Sequence, residues 1–322
     1  MSGAGLSARI AETASRLLSE GSVEVVIGFE AGSIPMRATP CIITDPGDAG
    51  RLVWNAFCAN NLAKYLEPGR KTAIIAKGCD TRAIVELIKE RRLKRGDITV
   101  IGVPCAGMAD PRAIGRCRPG IRVSAVEEND GMLVVHGGTA PVEVPLEEVL
   151  YAGCRLCARR NPVICDIPLG DPVPDGDPGF PDVEAFASLQ AGERRARVEA
   201  EMAKCIRCYA CRSACPLCTC ASCFADATQP QWVGRGAHPE DVMAFHVMRA
   251  MHLAGRCVEC GACARACPTG VDLSILNRRL AADVTELFGS RAGLDENAPQ
   301  PLAAYSMEDP QDFILDPGRE PE

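Results

Sequence analysis

The chain has 322 residues, 47% of them hydrophobic, with 19 cysteines and a formal net charge of −7. This length allows about two domains with a sizeable core. The composition excludes a disordered chain, and no apolar run approaches the roughly 18 residues of a membrane span. The first residues lack the basic and apolar segments of a secretion signal, so we expect a cytoplasmic protein whose cysteines serve metal or redox chemistry rather than disulfides. The negative charge and an aromatic content of 4% argue against nucleic-acid binding.

The first half of the chain alternates helical and extended patterns. Residues 7–20 have the periodicity of an amphipathic helix, and a second helical pattern starts at Thr81 and ends at Gly96, a residue suited to a helix C-terminus. Strand patterns lie at 23–29, 72–76 and 98–103, and as a hairpin-like pair at 131–137 and 140–146. Because the second helix lies between two strands, we expect a parallel α/β sheet.

The composition changes after the first half. Residues 166–182 contain five prolines, three glycines and five aspartates, which exclude a helix or a central strand, so we interpret this segment as a linker. High helical propensity predicts a connecting helix over 183–203, and the pattern of 239–255 predicts a further helix. Two histidines of that region, His246 and His252, fit core or interface positions better than ligand or proton-carrier roles.

The C-terminal end is acidic, with ten acidic and two basic side chains in residues 281–322. Its apolar side chains leave two interpretations open, docking along a surface or partner and a disordered acidic end. These side chains are Tyr305, Phe313, Ile314 and Leu315.

The expected organisation has four parts. An α/β N-terminal domain with a parallel sheet covers 1–165, and a Pro/Gly/Asp-rich linker with a connecting helix covers 166–203. A C-terminal α-helical and loop domain over 204–285 contains a two-cluster ferredoxin-like module, and an acidic tail covers 286–322.

Two cysteine runs dominate the C-terminal half. CIRCYACRSACP and CVECGACARACP both have the spacing C-x2-C-x2-C-x3-C-P of bacterial two-cluster ferredoxins. Three thiolates at two-residue intervals bind one 4Fe-4S cluster, and the proline turns the chain so that the fourth thiolate reaches the neighbouring cluster. This cross-over assigns Cys205, Cys208, Cys211 and Cys267 to cluster 1, and Cys257, Cys260, Cys263 and Cys215 to cluster 2. Zinc sites or buried free thiols are the alternatives, and neither explains two complete copies of the run.

Four cysteines of the first half form a third candidate set. Cys79 and Cys105 each follow a predicted strand, and open α/β sheets bind ligands at the carboxyl ends of neighbouring strands. With the C-x2-C pair Cys154 and Cys157 they form a four-thiolate set suited to a further 4Fe-4S cluster, cluster 3, or to zinc. Cys165 is the reserve ligand of this set.

The remaining cysteines have weaker interpretations. Cys218, Cys220 and Cys223 form C-T-C-A-S-C directly after the first run, and they either hold an extra cluster with a fourth donor or are a local feature of the insert between the runs. Cys58 and Cys117 are candidates for that fourth donor. Cys41 has no assigned role.

Over most of residues 10–280 the sequence resembles the beta-subunit family of coenzyme F420-reducing hydrogenases and formate dehydrogenases. The most specific stretches are KGCDTRAIVEL, GVPCAG, GCRLC, IRCYACRSACPLCTCASC and FHVMRAMHLAGRCVECGACARACP. Formate dehydrogenase beta subunits are the most similar, because they also join this domain to two ferredoxin runs. The resemblance implies a catalytic domain that binds a 4Fe-4S cluster and FAD and exchanges electrons with the deazaflavin coenzyme. The family's ligand pattern matches Cys79, Cys105, Cys154 and Cys157.

Two departures from the family weaken the expectation of FAD. The glycine-rich stretch before the first helix is reduced to MSGAGLSA, and from CDIPLGD onward the proline-rich linker replaces further strands of the flavin domain.

The expected function is electron transfer rather than stand-alone catalysis, since no nucleophile with a base, phosphate loop, molybdenum site or nickel site is recognisable. We expect an iron-sulfur subunit of an anaerobic formate dehydrogenase, hydrogenase or heterodisulfide-reductase-type complex. It would relay single electrons between catalytic or flavin partners through at least two 4Fe-4S clusters. We expect three clusters, and a fourth if Cys218, Cys220 and Cys223 bind one. The alternative is an FAD-containing beta subunit that itself exchanges hydride with coenzyme F420, NAD(P) or ferredoxin. Either interpretation predicts a hetero-oligomer without a transmembrane segment.

Overall fold

A computed structural model of the chain describes residues 3–117, 120–129 and 131–301. The strands are β1 (Val25–Ala31), β2 (Ala38–Ile43), β3 (Thr72–Ala76), β4 (Ile98–Gly102), β5 (Ala125–Asn129), β6 (Met132–His136), β7 (Val142–Pro145) and β8 (Ile167–Pro168). The α-helices are α1 (Gly3–Ser19), α2 (Gly78–Lys89), α3 (Pro111–Cys117), α4 (Ala152–Arg155), α5 (Pro181–Ala187), α6 (Ala191–Met202), α7 (Ala210–Ala214), α8 (Pro239–His252), α9 (Ala262–Arg265) and α10 (Ser274–Phe288). None of the helices in the described ranges is long and apolar enough to cross a bilayer.

The main sheet has the strand order β2-β1-β3-β4-β8. Strand β3 pairs in parallel with β1 and β4, and β4 pairs in parallel with β8, so the expected parallel sheet is confirmed. Every residue of β3 is buried, as expected for a run of small and β-branched residues between two covered faces. Strand β2, which the sequence pattern did not indicate, adds an antiparallel edge to β1.

Helix α2 connects β3 to β4 and is buried along most of its length. It ends at Lys89 rather than at Gly96, the expected end. The reason is local, because Arg91 has a φ of 57° and no right-handed helix can contain a residue in that conformation. Helix α1 buries Ile10, Ala14 and Leu17 from one face, in agreement with its amphipathic pattern.

The proline-rich segment is more than a connection. Ile167 and Pro168 form β8, and the neighbouring Asp166 accepts a hydrogen bond from the Val100 amide at 2.7 Å. A two-residue edge strand tolerates proline because its missing N–H is not needed by a further neighbour. The connecting helix expected over 183–203 is divided into α5 and α6. The three boundaries between the four expected parts stay a prediction.

The smaller sheet has the order β5-β6-β7 and is antiparallel throughout. Its β6–β7 pair is the expected hairpin, and β5 adds a strand that the sequence pattern did not indicate. Leu133, Val135 and Val144 are buried and pack with Ile114 in a separate hydrophobic cluster. This sheet therefore lies beside the main core and contributes no cysteine.

The C-terminal half packs on the first half through its cysteine-bearing loops and the start of the acidic tail. Arg82 of α2 donates to the main-chain oxygen of Ala292 at 2.9 Å, and the Gly293 amide donates to Glu86 of α2 at 2.7 Å. The Gln300 side chain donates to the same carboxylate at 3.0 Å. The tail up to residue 301 is therefore docked on α2, whereas the apolar side chains Tyr305, Phe313, Ile314 and Leu315 lie outside the described residues.

Candidate metal centres

The cysteines assigned to cluster 1 line one small cavity. It contains the thiols of Cys205, Cys208, Cys211 and Cys267, together with Phe245 and His246 of α8. The first three come from the first run and the fourth closes the second run, so residues separated by more than fifty positions share one site. This is the grouping that the cross-over of two-cluster ferredoxins requires.

The two runs follow the same backbone path around their second cysteine. The flanking residues are left-handed in both, with φ of 55° at Arg207 and 59° at Tyr209, and 59° at Glu259 and 69° at Gly261. Left-handed residues turn the chain back on itself, so that successive thiols of a run point toward a common site. This conformation is strained at the positions that are not glycine. The Arg207 guanidinium offsets that strain by donating to the main-chain oxygens of Asp241 and of the preceding loop at 2.8 and 2.9 Å.

The cysteines assigned to cluster 2 line a larger cleft between the two halves of the chain. Its volume is about 630 Å³, and its wall includes Cys215, Cys257, Cys260 and Cys263. Burial, then the thiols of Cys263, Cys260 and Cys215, raise the pKa of Cys257 well above that of a free cysteine. All four thiols are therefore within electrostatic reach of one another.

The donor sets fit iron-sulfur clusters on chemical grounds. Burial raises the pKa of Cys211 to about 11 and that of Cys260 to about 12, so without compensation both would be neutral thiols. Thiolates are the metal-binding form, and bound cations supply the positive charge that such a site lacks. No three His, Cys, Asp or Glu side chains among the described residues converge on a single-ion site. In a cluster of four irons each thiolate binds a different iron, so its ligands need not converge on one point.

The third set is also brought together. Cys79 lies in the first turn of α2, Cys105 follows β4, and Cys154 lies in α4 three residues before Cys157. Burial and then the Cys154 thiol raise the pKa of Cys105 to about 12. Burial and then the Asp80 carboxylate raise the pKa of Cys79, with smaller contributions from the thiols of Cys260 and Cys157. The third set therefore adjoins the cluster 2 set through Cys260.

Close glycine packing allows this approach. A side-chain carbon added at Gly153 would lie 3.5 Å from the Cα of Gly261. The loops that carry the two thiol sets thus meet backbone to backbone, with no side chain between them.

The remaining candidate cysteines are dispersed. Cys165 is exposed, and the charged groups that act on it are Asp166 and Arg95 rather than any thiol of the third set. Cys218 lies beside Cys215, and this contact is the largest cause that lowers the pKa of Cys218 to about 7.

The rest of the trio and the possible fourth donors lie in different surroundings. Cys223 interacts with Arg212, and Cys220 is exposed. Cys58 is buried and accepts from the Asn55 amide at 3.4 Å, whereas Cys117 is exposed and Cys41 is buried in β2.

A buried carboxylate connects the cluster 2 loop to both halves of the chain. Glu259 is 6% exposed in its side chain and pairs with Arg82 of α2 at 3.5 Å, Arg278 of α10 at 2.6 Å and Arg291 at 3.0 Å. Asp182 pairs with Arg278 from the other side at 2.7 Å.

Polar and cationic side chains around the thiols were not indicated by the sequence pattern. His246 is buried as expected for a core histidine, and its Nε2 lies 3.3 Å from the Cys205 sulfur. Arg249 and Arg265 lie among the thiols, and the fully buried Lys77 lies beside Cys79. In the sequence, the only sign that these side chains lie near the thiols is their position within or next to the cysteine motifs.

Residues 69–185 match the family described as the C-terminal part of coenzyme F420 hydrogenase/dehydrogenase beta subunits, and residues 201–271 match the 4Fe-4S dicluster domain. The chain therefore combines a segment that matches the coenzyme F420 hydrogenase/dehydrogenase beta-subunit family with a segment that matches the 4Fe-4S dicluster domain. The expected family resemblance is therefore confirmed. The two matched regions contain all twelve cysteines assigned to clusters 1 to 3.

Two curated relatives extend over most of the chain. The beta subunit of an F420-dependent formate dehydrogenase from Methanocaldococcus jannaschii is 24% identical over 88% of this chain and 90% of its own length. Subunit beta of F420-dependent formate dehydrogenase 1 from Methanococcus maripaludis is 26% identical over 89% of this chain and 90% of its own length.

A solved structure gives a weaker match. It is a chain of the F420-reducing [NiFe] hydrogenase complex from Methanosarcina barkeri, with 17% identity and a TM-score of 0.38 over 47% of this chain and 59% of that chain. A TM-score this low does not define a shared fold.

Proposed function

We propose that this protein is an iron-sulfur electron-transfer subunit of a multi-subunit oxidoreductase. It relays single electrons through three 4Fe-4S clusters held by the cysteine sets of clusters 1, 2 and 3. The observation that carries the proposal is the cross-over grouping, in which Cys267 shares a cavity with the first run and Cys215 shares a cleft with the second. The names of the curated relatives, which are beta subunits of formate dehydrogenases, support the same function.

The order of the thiol sets supports a continuous path. Cys211 of the cluster 1 set and Cys263 of the cluster 2 set are within electrostatic reach of each other, as are Cys260 of the cluster 2 set and Cys79 of the third set. The cluster 2 set therefore lies between the other two. Each cluster, when bound, exchanges one electron.

The chain contributes ligation and access. Four thiolates for each cluster leave no iron position open to a substrate. Cys208 is exposed, so the path reaches the surface at the cluster 1 end. A redox partner that docks at this surface can therefore exchange electrons with cluster 1 directly.

Metal content and spectroscopy test the proposal. Anaerobically produced protein should contain about twelve irons and about twelve sulfides per chain for three clusters, and dithionite reduction should give electron paramagnetic resonance (EPR) signals of reduced 4Fe-4S clusters. Cys208→Ser, Cys260→Ser and Cys79→Ser should each alter one signal or remove about four irons. Cys41→Ser, at a buried cysteine outside all three sets, is the control and should alter neither. Stoichiometric zinc without sulfide would refute the proposal.

The partners are proposed by class. They are a catalytic formate dehydrogenase or hydrogenase subunit, a flavin subunit, or a heterodisulfide-reductase-like subunit. Anaerobic affinity purification from the native cell should recover at least one such subunit in a fixed ratio, and that subunit with its substrate should reduce the clusters. Purification as a single chain whose clusters no co-expressed redox subunit reduces would contradict the assignment.

A flavoenzyme is the second candidate, and one observation favours it. The cleft of about 630 Å³ is in the size range of cofactor sites and extends beyond the cluster 2 thiols to Arg37, Lys64, Arg112 and the ring of Tyr151. Aromatic and basic side chains suit a flavin ring and its diphosphate. Denaturation of the purified protein should release about one FAD per chain if this candidate is right, and the relay function alone predicts none.

A further inference from the structure

Arg249 is a buried cation without a carboxylate partner in the described part of the chain. It is 4% exposed, and its Nη2 donates to the main-chain oxygen of Cys211 at 3.2 Å. Its Nε is buried and has no hydrogen-bond partner among the described residues. Burying a charge is costly unless an opposite charge compensates it. The surroundings of Arg249 must therefore supply negative charge.

Thiols are the groups that surround Arg249. The residue lines the same cleft wall as Cys215, Cys257, Cys260 and Cys263. Burial lowers the pKa of Arg249, whereas the thiols of Cys263, Cys218, Cys215 and Cys211 raise it, and the net result is a pKa above the usual value. Cys211 belongs to the cluster 1 set and Cys263 to the cluster 2 set, so this guanidinium lies where the two sets adjoin.

Arg265 occupies the equivalent position at the other junction. Its Nη1 donates to the main-chain oxygen of Cys260 at 2.6 Å, and its Nη2 donates to that of Ala59 in the first half of the chain at 2.7 Å. Its guanidinium carbon lies 5.3 Å from the centroid of the Tyr151 ring, and Tyr151 directly precedes α4, the helix that contains Cys154. Cys260 belongs to the cluster 2 set and Cys154 to the third set.

The two arginines share one arrangement. Each donates one N–H to the carbonyl of a ligand cysteine and lies within electrostatic reach of thiols from two sets. Each reduction adds one negative charge to a cluster, so neighbouring reduced clusters repel each other. A cation between them favours the reduced form of both and lessens that repulsion, because its interaction energy with each charge varies inversely with distance.

We propose that Arg249 and Arg265 are the charge-compensating residues of the two cluster junctions, which raise the reduction potentials of the flanking clusters and allow neighbouring clusters to be reduced together. Arg249 acts on clusters 1 and 2, and Arg265 acts on clusters 2 and 3. This inference rests on the proposed relay function. It assigns to the chain the capacity to hold one electron on each of two adjacent clusters at the same time.

The alternative role of these side chains is structural, since both also connect loops through carbonyl oxygens. A structural role predicts lower cluster content or stability with unchanged potentials in the clusters that remain. A charge-compensating role predicts full cluster content with lower potentials for two particular clusters. The potential therefore separates the two roles.

The experiment is a redox titration of the full chain, with dithionite as the reductant and EPR as the readout. The variants are Arg249→Gln, Arg249→Lys and Arg265→Gln, and Arg279→Gln is the control because it removes an exposed arginine that pairs with Asp283 on α10. Signals are assigned with the ligand variants Cys208→Ser for cluster 1 and Cys79→Ser for cluster 3. Iron and sulfide content are measured on each preparation, so failure of cluster binding is distinguished from a shift in potential.

We expect Arg249→Gln to lower the equilibrium constants for reduction of clusters 1 and 2 by about tenfold or more, a shift of about 59 mV for one electron, and to leave cluster 3 unchanged. Arg265→Gln should shift clusters 2 and 3 and leave cluster 1 unchanged. Arg249→Lys and Arg279→Gln should keep potentials close to those of the unmodified chain.

Three results would overturn the inference. One is unchanged potentials in iron-loaded Arg249→Gln or Arg265→Gln, and another is an equal shift in Arg279→Gln. The third is an Arg249→Lys variant that shifts clusters 1 and 2 as far as Arg249→Gln does. If Arg249→Gln binds no iron, Arg249→Lys and Arg265→Gln decide the question. Absence of clusters from the unmodified chain would instead refute the proposed function.

Discussion

The Glu259 network connects the cluster 2 loop to the first half of the chain, and Glu259→Gln tests its importance. The substitution keeps the shape of the side chain but leaves three arginines around a neutral amide. Removal of one partner from a buried ion pair typically costs about 3–5 kcal/mol. Arg278 keeps its second carboxylate, Asp182, and Arg291 keeps the Pro178 carbonyl at 2.6 Å, so we expect the lower end, about 3 kcal/mol.

The assay is thermal unfolding of the cluster-loaded protein under anaerobic conditions, followed by far-UV circular dichroism and by loss of visible absorbance. A chain of this size loses about 2 °C of Tm for each kcal/mol, so Glu259→Gln should lower the Tm by about 6 °C. Glu30→Gln is the matched control, because Glu30 pairs with the half-exposed Arg51 at 2.7 Å and such pairs contribute at most about 1 kcal/mol. A Glu259→Gln variant whose Tm falls no further than that of the control would refute the reasoning.

Three further predictions concern single positions. A side-chain carbon at Gly78 would lie 2.5 Å from the Arg159 carbonyl oxygen, whereas one at Gly96 would meet nothing within 4 Å. We therefore expect Gly78→Ala to displace the adjacent Cys79 and remove about four irons, and Gly96→Ala to keep full iron content; equal iron in both variants would contradict this. His246→Phe removes the ring nitrogen that contacts the Cys205 sulfur, so the potential of cluster 1 alone should fall in an EPR titration, and a fall in all clusters would exclude a local effect. The pKa of Asp166 is lowered, although burial opposes this, because an arginine and a strand amide donate to its carboxylate. Its folded pKa is below its unfolded value, so its stabilisation of β8 is present above the unfolded pKa and lost as pH falls through the folded one. Asp166→Asn should accelerate hydrogen exchange of the Val100 amide in β4 at neutral pH, and unchanged exchange would show that the carboxylate does not hold this edge.

Regular elements with a strong local pattern were predictable from the sequence. Strand β3 covers the residues expected from its β-branched run, and α8 follows the expected periodicity to within a few residues. The end of α2 and the strand β8 were not predictable, because they depend on a left-handed Arg91 and on pairing with β4. Neither the left-handed conformation nor the strand pairing can be recognised from the spacing of residues in the sequence.

The sequence by itself determined the thiol chemistry of this protein. The spacing of each cysteine run predicts which thiols share a cluster, because a short loop restricts which iron each thiolate can reach. Cys267 lines the same cavity as three cysteines of the first run. Only the tertiary structure decided the order of the three sets and the cations between them. The packing of segments far apart in the chain brings Cys79 within electrostatic reach of Cys260, and it brings Arg249 and Arg265 within reach of thiols from two sets. Such contacts depend on which surfaces meet when the core forms, and no local spacing specifies them.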